Sequence, residues 1–215
     1  MGIVKSLGLG YVFERAFERI VPVWVFRFCA LAVYQIDSNK FPAGSSSNAH
    51  VRICDSAQAL QELREVTFAD GDEKRTIGLM AKVDGEVAGG LWVAFGDYRD
   101  RDLGLSFLLG HERAWIYAAR VDPIYRRQGI YSHLMKESTQ SRQIAGHSAP
   151  LIGVSKLNRN SHRAIQRVGT PVGQVWVVRL GSIVWARATG DLKQNRSLTF
   201  RCTHRPIQLS MSEIS

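Results

Sequence analysis

Val121-Asp122-Pro123-Ile124-Tyr125-Arg126-Arg127-Gln128-Gly129-Ile130-Tyr131 is the stretch on which the fold turns. An apolar run from Trp115 to Val121 feeds into it as a strand, and a helix-like run leaves it from Ile130. A strand, a turn of exposed backbone N–H groups and a helix N-terminus together make an anion cradle. The first N–H groups of a helix lack internal partners and carry the positive end of its dipole. Gly129 lets the backbone approach a ligand closely, and Arg126 and Arg127 add fixed positive charge. A pyrophosphate is the natural guest of such a turn. Basic turns before helices also occur as plain structural elements, so the neighbouring segments decide.

Upstream, Ile77 to Val83 and Glu86 to Phe95 flank Asp84-Gly85. Asp-Gly between two apolar runs is a hairpin signal, because the turn needs positive φ at both positions. Before it, His50 to Cys54 reads as a strand. Asp55 with Gln58 gives a capping-box-like start to a helix whose face is Ala59, Leu60, Leu63 and Val66. Tyr98 to Gly104 reads as a polar loop, and Leu105 to Leu109 as a short strand or a loop wall. Downstream of the opening turn, Ile130 to Ile144 reads as a helix and Leu151 to Ser155 as a strand. Asn158 to Val168 is a helix stopped by Gly169 and Pro171, and Gln174 to Leu180 and Ile183 to Ala188 form a second hairpin around Gly181-Ser182. This order predicts an α/β mixture with a mixed, mostly antiparallel sheet flanked by helices.

The ends read differently. Residues 3 to 20 mix Ile3, Val4, Leu7, Tyr11, Phe17 and Ile20 with Glu-Arg pairs, an amphipathic helix pattern. Packing on the domain or on a second subunit is the preferred reading, with a homodimer in view; membrane-surface contact through residues 3–34 is the alternative. Val23 to Ile36 reads as extended and buried, and Asp37 to Ala49 as a linker. The predicted organisation is an extension and linker over 1–49, a domain over 50–190 and a loose polar tail over 191–215.

The chain has 215 residues, 45% hydrophobic and 22% charged, enough for one domain with a core and an extension. Its net charge of +9 favours an anionic partner. The basic residues are scattered without a run of five, which argues against nucleic acid. Three widely spaced cysteines (Cys29, Cys54, Cys202) with no Cys-x-x-Cys suit a reducing, cytoplasmic setting and give no metal site. The most apolar stretch, Ile20 to Tyr34, has 15 residues and contains Pro22 and Arg27, too short for a bilayer span of about 20. Glu14, Arg15, Glu18 and Arg19 interrupt any signal-peptide reading.

Val121, Pro123, Tyr125, Arg126 and Gly129 resemble the acetyl-CoA loop of the GNAT acetyltransferase superfamily, Val-x-Pro-x-Tyr-Arg-x-x-Gly-x-Gly/Ala; Tyr131 departs from it. Asn158-x-x-Ser161 followed by Gly169 resembles a second family pattern, with Thr170 in place of Phe. The element order from about residue 50 to 188 is similar as well. The resemblance implies an acetyl-CoA-dependent N-acetyltransferase acting on a small amine or amino sugar, with acetyl-CoA as co-substrate. It implies that Ala119, Arg120 and Val121 pair with the pantetheine amides. Arg126, Arg127, Gln128, Gly129, Ile130, Tyr131 and Ser132 would hold the pyrophosphate, and Asn158 with Ser161 the pantetheine near its thiol. For Asn158, a plain helix cap is the competing role.

The implied chemistry is direct attack of an amine on the thioester, with a general base and a backbone N–H for the oxyanion. His111, Glu112 and Tyr117 are the candidates for the base, with Tyr117 and Glu112 preferred. Tyr117 is placed by strand alternation on the face of Ala119; its competing role is a core aromatic, and that of Glu112 a solvated loop carboxylate. Many family members place a Tyr acid seven residues after the Asn, where this chain has Ile165. Two other readings stay open: a GNAT-like acyl-CoA-binding protein without turnover, and an interaction protein of a membrane-associated polysaccharide-synthesis assembly.

Overall fold

The computed structural model describes residues 26–41, 48–69, 71, 75–100, 103–140, 150–195, 198–200 and 206–211. The strands are β1 (Phe26–Ile36), β2 (His50–Ile53), β3 (Thr76–Val83), β4 (Glu86–Phe95), β5 (Tyr98–Asp100), β6 (Leu105–Leu108) and β7 (Ala114–Val121). After them come β8 (Leu151–Ser155), β9 (Gly169–Leu180), β10 (Ile183–Gly190), β11 (Leu192–Gln194), β12 (Leu198–Phe200) and β13 (Ile207–Met211). The described helices are α1 (Ala57–Thr67), α2 (Ile130–Gln140) and α3 (Arg159–Val168). The amphipathic pattern over 3–20 lies outside the described residues. Most strand pairs are antiparallel; β7 with β8 and β6 with β13 are parallel.

Two compact units divide the chain, one formed by Gln35–Gly96 and Gly110–Ile152, the other by Met1–Tyr34, Asp97–Leu109 and Gly153–Ser215. In the first, β2, β3, β4, β7 and the start of β8 lie side by side in that order. The β3–β4 hairpin turns on Asp84 (φ 51°) and Gly85 (φ 88°), the two positive values that an Asp-Gly turn supplies. Helix α1 starts at Ser56, whose Oγ accepts from the Ala59 N–H at 3.2 Å, so the cap is Ser56 rather than Asp55. It buries Ala59 and Leu63 against Cys54, Met80 and Trp92. Within that cluster the Trp92 indole N–H donates to Thr67 Oγ1 (3.0 Å), which donates to the Leu63 carbonyl (2.7 Å). The one polar edge of a buried indole is thereby satisfied. Helix α2 buries Ile130, Leu134, Met135 and Ser138, the 3–4 spacing of a single face.

In the second unit, β12, β10, β9 and β1 are neighbours in one sheet, and β11, β13, β6 and β5 form another. Its core includes Val175, Val177, Val184, Ala186, Ile207 and Leu209. Three expectations change here. The segment over Tyr98–Gly104 contributes the short strand β5. β9 begins at Gly169 itself and runs through Pro171, so the chain passes from α3 straight into a strand. Within 191–215, read as a loose polar tail, Leu192–Gln194, Leu198–Phe200 and Ile207–Met211 form β11, β12 and β13, with Leu192, Ile207 and Leu209 buried. Among the described residues, no helix is long and apolar enough to cross a membrane, and no group of three or more His, Cys, Asp or Glu is placed to hold a metal.

Candidate acetyl-CoA site

β7 delivers the chain to the opening turn, and local chemistry makes that turn stiff. Asp122 Oδ1 accepts from the Ile124 N–H at 3.0 Å, and Pro123 fixes the first position of a 3-10 turn over Pro123–Tyr125. The Asp122 N–H is tied to the Ala88 carbonyl at 2.9 Å, and Arg126 Nε donates back to the Val121 carbonyl at 3.3 Å. The guanidinium is therefore anchored to the end of β7.

The next residues alternate in backbone hand. Arg127 has φ 68° and Gly129 φ 76°. Alternation of this kind turns successive N–H groups inward as an anion-binding nest. The first donor of the α2 ladder is the His133 N–H, to the Gly129 carbonyl at 3.0 Å. The N–H groups of Ile130, Tyr131 and Ser132 precede that ladder and lie at the positive end of the helix. Arg127, Gln128 and Gly129 are exposed, so the turn is open to solvent. This donor set fits a diphosphate: several convergent N–H groups, two guanidinium groups and no carboxylate within 126–132. Tyr131, at the position where the family has Gly or Ala, is half-buried, and loss of solvent raises its phenol pKa. It brings no negative charge to the loop.

β7 carries a bulge that the sequence does not announce. The β4–β7 register runs Ala94↔Trp115, Val93↔Ile116, Trp92↔Tyr117, then resumes at Gly90↔Arg120 and Gly89↔Val121. Ala118 and Ala119 thus stand opposite Leu91 alone, and Ala118 takes φ 51°. A bulge takes backbone groups out of the regular ladder and re-aims the strand. It also breaks the alternation used to place Tyr117 with Ala119: Tyr117 and Ala118 both pack on the Trp92 cluster. β7 pairs with β8 at Trp115↔Leu151 and Ile116↔Ile152, and it continues beyond that register to Val121. Gly89 is needed beside it, since a Cβ there would lie 2.6 Å from the Arg120 carbonyl. The Arg120 guanidinium stacks 4.2 Å over the exposed Phe68 ring. Glu112 is exposed in the turn before β7.

Because L-residues pay about 1–2 kcal/mol in the left-handed region, Ala118→Gly should leave stability within about 1 kcal/mol of the parent. Ala118→Val should cost about 2 kcal/mol or more, since a β-branched residue tolerates that conformation poorly. Urea unfolding of the two variants measures the difference; equal stabilities would mean that the bulge can shift.

Asn158 and Ser161 belong to the other unit, at the start of α3. Asn158 Oδ1 accepts from the Ser161 N–H at 3.2 Å, so the capping role is realised and uses the acceptor of the amide. Ile165 is fully buried and sits in the core. One turn beyond Asn158, His162 Nε2 lies 3.0 Å from the Tyr34 hydroxyl, with the rings edge-to-face.

Cys54 is a buried free thiol whose pKa desolvation pushes up to about 11. A raised thiol pKa favours the neutral form in the folded state. Its contribution to stability is therefore complete below the ordinary thiol range and is lost as pH rises through about 11. Alkylation of Cys54 in the native protein at pH 8 should be much slower than in urea, as read by mass spectrometry of the peptide; equal rates would contradict the burial.

A search of curated proteins gave no match. Among solved structures, the chain resembles a functionally unknown conserved protein from Staphylococcus epidermidis ATCC 12228, with a TM-score of 0.52 and 12% identity over 78% of this chain and 66% of that one. A GCN5-related N-acetyltransferase from Kribbella flavida matches with a TM-score of 0.45 and 10% identity, over 76% of this chain and 60% of that one. A GCN5-related N-acetyltransferase-like protein from Streptococcus suis 89/1591 matches with a TM-score of 0.49 and 12% identity, over 80% and 69%. This chain therefore spans about two thirds or less of the first two proteins. The model of the acetyltransferase (GNAT) family matches residues 32–170, from within β1 to the start of β9. A family-model match over most of the chain makes this protein a member of the GNAT acetyltransferase family.

Proposed function

We propose that the protein is an acetyl-CoA-dependent N-acetyltransferase that moves an acetyl group to the amine of a small molecule or amino sugar. The observation that carries the proposal is the nest over Arg126–Gly129 leading into the N-terminus of α2, directly after a bulged β7. Bound acetyl-CoA supplies a thioester open to attack by a neutral amine. The loop residues Arg126 to Ser132 hold and neutralise the pyrophosphate. The backbone of Ala119–Val121 pairs with the pantetheine arm as an added strand, and the N–H groups released at the Ala118 bulge are the candidates for the oxyanion. Glu112 is the more accessible candidate for accepting the amine proton, because Tyr117 is packed against the core. On α3, Asn158 would bond the pantetheine through its amide N–H groups, with Ser161 beside it.

A second reading, an acyl-CoA-binding protein without turnover, is favoured by Ile165. The position where many relatives carry the Tyr acid is here a buried aliphatic side chain that cannot donate a proton. Calorimetric titration with acetyl-CoA tests the shared part, and absence of binding at high micromolar cofactor defeats both readings. Thiol release across a panel of amines separates them: turnover supports the transferase, and binding with zero turnover supports the second reading.

A further inference from the structure

The β9–β10 hairpin is apolar on both faces. Val175, Val177, Val184 and Ala186 point into the core, while alternation puts Trp176, Val178 and Leu180 of β9 with Ile183, Trp185 and Arg187 of β10 on the opposite face. The register sorts that face into three layers along the hairpin: Leu180 beside Ile183 at the tip, then Val178 beside Trp185, then Trp176 beside Arg187. Successive layers are two residues, about 7 Å, apart. Leu180, Ile183 and Trp185 are 58%, 38% and 38% exposed. Phe28 of β1, 40% exposed, joins the third layer with its ring 6.0 Å from that of Trp176. Lys156 Nζ lies 5.1 Å over the same indole. The face therefore grades from aliphatic at the tip, through aromatic, to a basic collar.

We propose that this face docks on an anionic lipid surface, tip first. The grading matches the depth profile of a bilayer interface: aliphatic side chains enter the acyl boundary, Trp rings sit at headgroup level, and Lys and Arg meet the phosphates. Insertion by about 5–10 Å takes in the tip and reaches Trp185, and a headgroup layer of about 5–8 Å then spans the collar. The backbone suits that setting. At the tip β10 pairs with β9 on one side and β12 on the other, so no open strand edge enters lipid. The turn carbonyl of Gly181 accepts from Arg179 Nε at 3.2 Å, and Arg179 itself is turned to the buried face. Charge selects the occupant. The chain has no Asp or Glu between Glu137 and Asp191, whereas Lys156, Arg159, Arg163, Arg167 and Arg187 all fall there. A second copy of the chain is the poorer occupant, because an isologous contact brings together two faces whose charged groups are all positive. Single-stranded nucleic acid stacks on aromatic rings, and the most exposed side chain of this face, Leu180, is aliphatic.

The test is co-sedimentation of the full chain with vesicles of phosphatidylcholine alone and of phosphatidylcholine mixed with phosphatidylglycerol. The parent should partition to the mixed vesicles, and high salt should weaken the partition. Leu180→Glu with Ile183→Glu should reduce it by at least about 10-fold, and Arg187→Gln by roughly fivefold, the loss of one basic contact. All three side chains are exposed, so both proteins should keep the thermal midpoint of the parent. Brominated lipid should quench the Trp fluorescence of the parent, and Trp185→Phe should remove much of that quenching, a readout independent of the charge variants. Equal partition of the parent and the double variant, no preference for the mixed vesicles, or undiminished quenching in Trp185→Phe would overturn the proposal. A parent dimer that the double variant dissolves, or single-stranded RNA held on this face in place of lipid, would do so as well.

Discussion

Replacing Gly129 by glutamate should weaken acetyl-CoA binding by at least about 100-fold, close to 2.7 kcal/mol. Two effects add. Gly129 has φ 76°, where any L-residue pays about 1–2 kcal/mol, so the nest tends to relax away from its anion-binding form. The new carboxylate also enters a concavity organised for negative charge, at the N-terminal end of α2, and opposes the diphosphate at close range. The fold should survive, because Gly129 is exposed and the turn before it is held by Asp122, Pro123 and Arg126. Isothermal titration with acetyl-CoA is the measurement, with thermal unfolding as the control. Retained affinity in a folded Gly129→Glu protein would refute the assignment of the loop. Gly129→Ala isolates the backbone part and should lose only about 5- to 20-fold.

The largest effect on stability is expected at Leu63. Its side chain is fully buried and wedged between two glycines: a Cβ on Gly78 would lie 2.2 Å from Leu63 Cδ2, and one on Gly90 would lie 2.1 Å from Cδ1. Leu63→Ala should cost about 2–5 kcal/mol through lost burial and a cavity under α1. Gly78→Ala alone should also destabilise, by about 1–3 kcal/mol, since the new methyl group meets Leu63 in a packed core. The two changes should offset each other in combination. With Leu63 shortened, the nearest neighbours of a Cβ on Gly78 are Trp92 Cζ3 at 3.4 Å and Cys54 Cβ at 3.6 Å, ordinary contacts. A double-mutant cycle by urea unfolding should show a favourable coupling of at least about 1 kcal/mol. Gly90→Ala should not rescue equally, because its Cβ also meets the Leu79 carbonyl at 2.9 Å. Strict additivity at Gly78 would mean that Leu63 does not fill that space.

What could be read in the sequence was what neighbouring residues decide. Asp84-Gly85 produced its turn because both positions adopt positive φ cheaply, and Gly181 turned the second hairpin with φ 56°. The loop from Asp122 to Gly129 was legible for the same reason: proline, an Asx turn and glycine act over a few bonds. The bulge at Ala118 was not legible, because no local preference puts alanine in the left-handed region. Pairing with β4 imposes it, and β4 approaches so closely beside it only because Gly89 lacks a side chain. β11 to β13 were missed because each is only three to five residues long and their partners are distant: Ile207 pairs in parallel with Leu105. Ser56 took the cap from Asp55 through a shift of one residue. Catalytic side chains were not legible, because the proposed chemistry asks for backbone N–H groups and a base of no fixed identity.

That parallel pair between β6 and β13 has a consequence for how the molecule is made. One unit is complete in sequence by Ile152, whereas the other begins with β1 and needs β13, at Ile207–Met211. During synthesis the first can close while the second still waits for its last strand. β1 must persist meanwhile without β9, and β6 without β13, each an open edge that invites the wrong pairing. The order of folding is thus written into the order of the chain. The unit bearing the Asp122–Gly129 turn can close first, while the other needs the long-range pairing of β6 with β13, a slow class of contact.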